Sequence, residues 1–149
     1  MKYFIYSVIG VVTTLVLAGF FIVGSPKAER MRQFDERRIN DLNQIQYNIV
    51  NFWQNKGSLP PALADLRDDI GGVYIPVDPE TNAAYEYAIK GVLQFELCAT
   101  FSTDSNAEAT LPQPMKTYPT QYNEQWTHGV GRTCFTRTID TDRYPLFKK

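Results

Sequence analysis

An α+β fold is predicted for this 149-residue chain: an N-terminal transmembrane helix, then a long amphipathic helix packed on a small antiparallel β-sheet. Three features carry that expectation. The run YFIYSVIGVVTTLVLAGFFIV at 3–23 holds no charged residue. After Pro26 there is no Gly or Pro until Gly57, and apolar residues in between recur at steps of three and four, the period of one helix face. AYEYAIK and VLQFELCATF then alternate apolar and polar residues on either side of Lys90-Gly91, the pattern of a β-hairpin.

The length allows one domain beyond the first segment, so the expected division is an anchor at 1–25 and an α+β domain at 26–149, with its helix at 26–56 and its sheet and long loop at 57–149. As a helix the apolar run spans roughly 30 Å at 1.5 Å per residue, the thickness of a bilayer core. A secretory signal peptide has a shorter apolar region, about 7–15 residues, and ends in a small-x-small cleavage site. Cleavage after Val16-Leu17-Ala18 would leave GFFIVG as a mature terminus, an unsuitable soluble end. An uncleaved anchor is therefore expected, in contact with membrane lipid.

Fifteen basic residues face sixteen acidic ones, and setting Lys2 aside leaves 14 against 16. Phosphate binding needs a clustered basic excess, so a nucleic-acid partner is not expected. The one basic cluster, Lys27, Arg30, Arg32, Arg37 and Arg38, is interleaved with Glu29, Asp35 and Glu36 and reads as a solvated helix face near lipid headgroups. It also conflicts with the expected orientation, because positive residues after an anchor favour the cytoplasmic side. The even cysteine count favours the oxidising side, and an extracytoplasmic domain is the expectation adopted.

The second helix is expected to start at Ser25 as N-cap and Pro26 as first helical residue, where a missing N–H costs nothing. Its stripe is Met31, Phe34, Arg38, Leu42, Ile45, Ile49 and Phe52, with Arg38 the one polar member. Its charged first turns are expected to form a stalk, the half from Leu42 to Trp53 to pack on the sheet, and Gly57 to end the helix. Pro61 then opens a short helical turn through Leu66, residues 68–72 form a loop, and Asp78-Pro79 sets a turn into the first strand.

In the hairpin, Tyr85, Tyr87 and Ile89 share one face of the first strand, and Leu93, Phe95, Leu97, Ala99 and Phe101 one face of the second. Cys98 falls on the opposite face. In GRTCFTRTI the same alternation puts Phe135 inward and Cys134 outward. If these strands are neighbours, Cys98 and Cys134 share a face and can form a disulfide. Closing that loop would contribute about 3–4 kcal/mol in the chain-entropy model; the alternative is two unpaired small apolar residues. With no CxxC pair and His128 the one histidine, no zinc site is expected.

The stretch 102–131, rich in Ser, Thr, Asn, Pro and Gln, reads as a long loop, with Tyr118, Tyr122 and Trp126 expected to fold over the outer sheet face. The tail IDTDRYPLFKK reads as a short extended segment with a basic end.

This order of elements resembles the type IV pilins and, more closely, the type II secretion pseudopilins. The matching residues are the apolar run 3–23, RRINDLNQIQYNIVNFWQNKG at 37–57, Gly57-Ser58-Leu59-Pro60 as a Gly-x-x-Pro loop, and VDPETNAAYEY at 77–87 with its hairpin through Phe101. They cover about two-thirds of the chain. HGVGRTCF and TIDTDRYP, nearer the end, are similar to the ends of an uncharacterised group of small membrane-anchored bacterial proteins. The resemblance implies a pilin-like ectodomain on the bacterial cytoplasmic membrane. Pilin precursors differ in carrying a short basic leader ending in Gly and a Glu near the start of the mature helix, neither of which stands here. Processing by a prepilin peptidase is not expected, and a permanent single-pass protein is.

The expected function is non-enzymatic: an anchored pilin-like module that meets protein partners in an envelope assembly or presents a surface, with no cofactor, no bound metal and no small-molecule substrate. The alternative is a calcium- or small-ligand-binding subunit using Asp68, Asp69, Asp78 and Glu80, since calcium takes carboxylate oxygens; no EF-hand spacing is present. An enzyme would need His128 as base and Cys134 as a free thiol, and no Walker, GxSxG, HExxH or dinucleotide motif occurs.

Overall fold

The computed structural model describes residues 2–23, 26–105 and 126–147, and of residues 16–23 and 26 only the backbone. It divides into two units, Met1–Gln33 and Phe34–Lys149. The expected N-cap at Ser25, the roles given to Tyr118 and Tyr122, and the basic end at Lys148-Lys149 lie outside the described residues.

The first unit contains α1, Lys2–Val23, and the start of α2, Pro26–Lys56. Every described side chain of α1, residues 2–15, is exposed, and Ser7, Thr13 and Thr14 return their hydroxyls to carbonyls three or four residues back. Among the described residues no helix is long and apolar enough to cross a membrane. The transmembrane span expected over 3–23 is thus not met there, and eight of its residues, 16–23, have no described side chain.

In the second unit α2 continues to Lys56, followed by a 3-10 turn at Leu63–Leu66 and three strands: β1 Glu86–Ile89, β2 Gln94–Phe101 and β3 Gly131–Thr138. They form one antiparallel sheet in the order β1-β2-β3. The α+β class and the antiparallel sheet agree with expectation. So does the end of α2: Gly57 takes φ 75°, and its N–H reaches Trp53 O at 2.7 Å, which satisfies one orphan carbonyl of the last turn.

Leu42, Ile45, Ile49 and Trp53 of α2 form the core with Phe95, Leu97, Ala99, Phe101 and Phe135 of the sheet. Each fully buried large apolar side chain contributes about 1.5–3 kcal/mol relative to exposure. The stripe ends at Trp53, not Phe52. At 100° per residue, 53 returns to within about 20° of 42, whereas 52 is some 80° off that line. Met31 is exposed, and Phe34 and Phe52 are half-buried.

The hairpin is looser than expected. Glu86 pairs with Cys98 and Ile89 with Phe95, so residues 90–93 form the connection, and Lys90 and Gly91 both donate backbone N–H to Gln94 O. Ile89, at the end of β1, is exposed, unlike Tyr85. Trp126 also departs from expectation. It lies on the inner face, not the outer one, edge-on to Phe135 at 4.8 Å, and its Nε1–H donates to Asn43 Oδ1 of α2 at 2.8 Å. An indole buried with a partner for its N–H is at home in a core, and alternation alone could not place a residue outside a strand. The tail forms a turn rather than an extended strand: Tyr144 N bonds Asp140 O, and Phe147 N bonds Gln54 O at the end of α2.

Candidate functional site

Among the described residues of the second unit, a buried polar cluster centres on Arg38, the polar residue of the α2 stripe. Its side chain is 2 % exposed. Nε donates to Asp78 Oδ2 at 2.6 Å and Nη2 to Asp78 Oδ1 at 3.2 Å, while Nη2 also reaches Glu80 Oε2 at 2.7 Å. Nη1 donates to Asp35 Oδ1 at 2.8 Å and to Ser102 Oγ at 3.3 Å. The planar guanidinium fork is the group suited to such bidentate recognition.

Each carboxylate also fixes local backbone. Asp78 Oδ1 accepts from the N–H groups of Glu80 and Thr81, the side-chain turn that an Asp-Pro start favours, and Asn82 completes the reversal at φ 58°. Asp35 accepts from the N–H groups of Ser102 and Thr103 and from the Thr103 hydroxyl, just beyond β2. The cluster therefore clamps α2 to the turn before β1 and to the exit of β2. Burial alone would raise the Asp78 carboxyl, but the bonds from Arg38 and the turn outweigh it and hold the group down to about 2. Burial works against Asp35 in the same way, and its hydroxyl, backbone and Arg38 donors bring it below the usual range. Arg38 is raised despite its burial, by Asp78, Glu80 and Asp35. One turn along α2, burial raises Asp41, whose Oδ2 accepts the Tyr85 hydroxyl at 2.7 Å.

These contacts bear on the carboxylates of the alternative, calcium-binding reading. Asp78 and Glu80 hold a guanidinium, Asp68 Oδ1 accepts from the backbone of Ile70 and Gly71, and Asp69 pairs with Arg67. Among the described residues the one set of three potential ligands within metal reach is Glu96, Cys98 and Cys134.

Cys98 and Cys134 stand directly opposite each other on β2 and β3, with Cα atoms 4.0 Å apart and sulfurs at disulfide distance, 2.17 Å. They lie on the sheet face away from α2, as the alternation predicts. Arg132 forms a bidentate pair with Glu86 across this face, and its Nη2 is 3.5 Å from Cys98 Sγ. Lys90 pairs with Glu96 at 3.1 Å beside them.

His128 is buried, stacked on Phe101 with ring centroids 3.7 Å apart, and its backbone exchanges hydrogen bonds with Ser105. The imidazole packs flat on the core phenyl ring of Phe101, and Cys134, the other residue of the enzyme reading, is at disulfide distance from Cys98.

A cleft of about 380 Å³ opens between α2 and the segment before β1, with Arg37 and Asp41 on one wall and Tyr74, Val77 and Pro79 on the other. Tyr74 and Val77 are exposed there.

Comparison with known protein families, with characterised proteins and with solved structures gives no match.

In the sequence Arg38 and Asp78 stand out as separate features, a stripe residue and a turn residue, with nothing local to join them. The available signal was a lone cation in an apolar helical stripe, which requires a buried anion when the stripe is covered.

Proposed function

We propose that the chain is a single-pass membrane-anchored, pilin-like protein whose disulfide-bearing domain lies outside the cytoplasmic membrane and meets protein partners in an envelope assembly. The observation that carries the reading is the exposure of α1. Its residues 3–15 include no charge, yet every one is exposed, Tyr3 at 90 % and Phe4 at 74 %. A helix that is apolar all round needs lipid or protein on every side. With its 22 residues α1 is roughly 33 Å long, and α2 begins three residues after its end. A long helix covering an antiparallel sheet, with an Asp-Pro turn clamped to it, supports the pilin-like reading, and the exposed Tyr74 and Val77 beside Arg37 offer a surface for a protein partner.

The test uses the full chain in bacterial cells. Membrane pellets should keep it through an alkaline carbonate wash, and a form lacking 1–25 should be released. In intact cells a membrane-impermeant thiol reagent should label Cys98 and Cys134 only after reduction. Recovery of the full chain in the soluble fraction would remove the anchor, and thiols reached only after permeabilisation would remove the exported domain.

A further inference from the structure

We propose that the Cys98–Cys134 bridge is a directional thiol–disulfide exchange site, in which an external thiolate attacks Cys134 Sγ and Cys98 leaves as the thiolate. Two observations support this direction, and a third supports the reversibility of the exchange. The two residues differ in burial: Cys98 is 4 % exposed, whereas Cys134 is half-buried. Attack requires approach to the sulfur, so the incoming thiolate meets Cys134.

The second observation is the charge beside the leaving sulfur. Arg132 Nη2 is 3.5 Å from Cys98 Sγ. A guanidinium at that distance favours the thiolate over the thiol, and a more acidic leaving thiol departs faster. Of the two charged groups in contact with that sulfur, the cation is the nearer. Glu96 Oε2 lies farther off, 3.9 Å from the same sulfur, and is paired with Lys90; Glu86 serves to orient Arg132.

The third observation is the register. β2 and β3 are joined by eight paired positions, from Gln94 with Thr138 to Phe101 with Gly131, so opening the S–S bond leaves the sulfurs opposite each other. The dithiol form is thereby held ready to close again, as intramolecular reactions of well-placed groups are.

In the first step the external thiolate forms an S–S bond to Cys134, the Cys134–Cys98 bond breaks, and its electron pair goes to Cys98. A second thiol of the same reductant then attacks the mixed disulfide. The reductant leaves as its disulfide, two electrons pass to the protein, and Cys134 and Cys98 each end as a thiol after taking a proton from water. The partner class is an external dithiol, and a monothiol in excess can do the same in two bimolecular steps.

The experiment treats the full chain in detergent micelles with reduced glutathione, without denaturant, quenches with acid, alkylates free thiols and locates the adduct by peptide mass. Glutathione should be found on Cys134 with alkylated Cys98, in excess of the reverse pattern by about tenfold or more. Arg132→Ala should slow adduct formation severalfold and Arg132→Lys should recover most of the rate. Because Arg132 and Glu86 are an exposed pair, both variants should fold, and circular dichroism of each before reduction checks this. Oxidised glutathione should restore the bridge. Adducts on Cys98, adducts that require denaturant, or an Arg132→Ala rate equal to wild type would each overturn the proposal.

Discussion

Arg38 Nε and Asp78 Oδ2 are 2.6 Å apart, joining positions 40 residues apart in sequence, and both groups are nearly sealed from water. The pair closes α2 onto the turn that leads into the sheet. Removing the guanidinium would strand Asp35 and Asp78 as buried carboxylates. Breaking a buried pair from one side costs about 3–5 kcal/mol, so Arg38→Ala should lower the melting temperature of the full chain in detergent by roughly 10 °C or more. Arg38→Met should fall nearly as far. Melting within about 2 °C of wild type would show that the clamp does not hold the fold.

The same cluster sets the acid limit. Asp78 ionises at about 2 in the folded protein, below the ordinary 3.8, and Asp35 is lowered too. A carboxyl with a depressed folded value contributes stability above its unfolded value and loses it as pH falls through the folded one. Asp41 acts in the opposite sense, because its raised value favours the protonated form in the folded state. Stability should therefore be nearly level from neutral pH to about 5 and fall between about 4 and 2. Urea titrations at stepped pH would check this, and Asp78→Asn should remove part of the acid slope.

Much of this layout was legible because it depends on local rules. Helix α2 has the predicted bounds, since Pro26 and Gly57 act through backbone geometry that no tertiary contact needs to supply. The faces of β2 and β3 follow period two, which is why Cys98 and Cys134 could be put on one side before either strand was paired. The Arg38 cluster was not legible, since its members stand at 35, 38, 78, 80 and 102 and meet only once the chain is folded. Trp126 was misplaced for a related reason: it belongs to no strand, and its position depends on Asn43 and Phe135.

Gly57 allows a clean test of the local rules. Its φ of 75° lies in the left-handed region, while an added Cβ would meet no atom within 4 Å. Gly57→Ala should therefore cost only the backbone term, about 1–2 kcal/mol. Gly129 also has open space for a Cβ but no positive φ, and Gly129→Ala should be within about 0.5 kcal/mol of wild type. Equal melting temperatures for the two variants would mean that α2 does not end in this conformation.

Trp126 is joined to α2 by a hydrogen bond and to β3 by contacts of its ring with Phe135 and Arg137. Its Nε1–H donates to Asn43 Oδ1 at 2.8 Å, and the Arg137 guanidinium carbon sits 4.4 Å from the ring centroid. Arg137 is itself tied to Gln46 of α2 at 2.9 Å, so the indole is held between helix and sheet. Trp126→Phe keeps an aromatic ring but removes the donor and weakens the cation contact. A lost buried hydrogen bond and a reduced cation–π contact together cost about 1–2.5 kcal/mol. Asn43→Ala should cost a similar amount by leaving the indole N–H without its acceptor. Because both changes remove one shared bond, the double variant should be less destabilised than the sum of the singles, by about 1 kcal/mol. Strict additivity in urea unfolding would place Trp126 elsewhere, and its inner-face packing would fall with it.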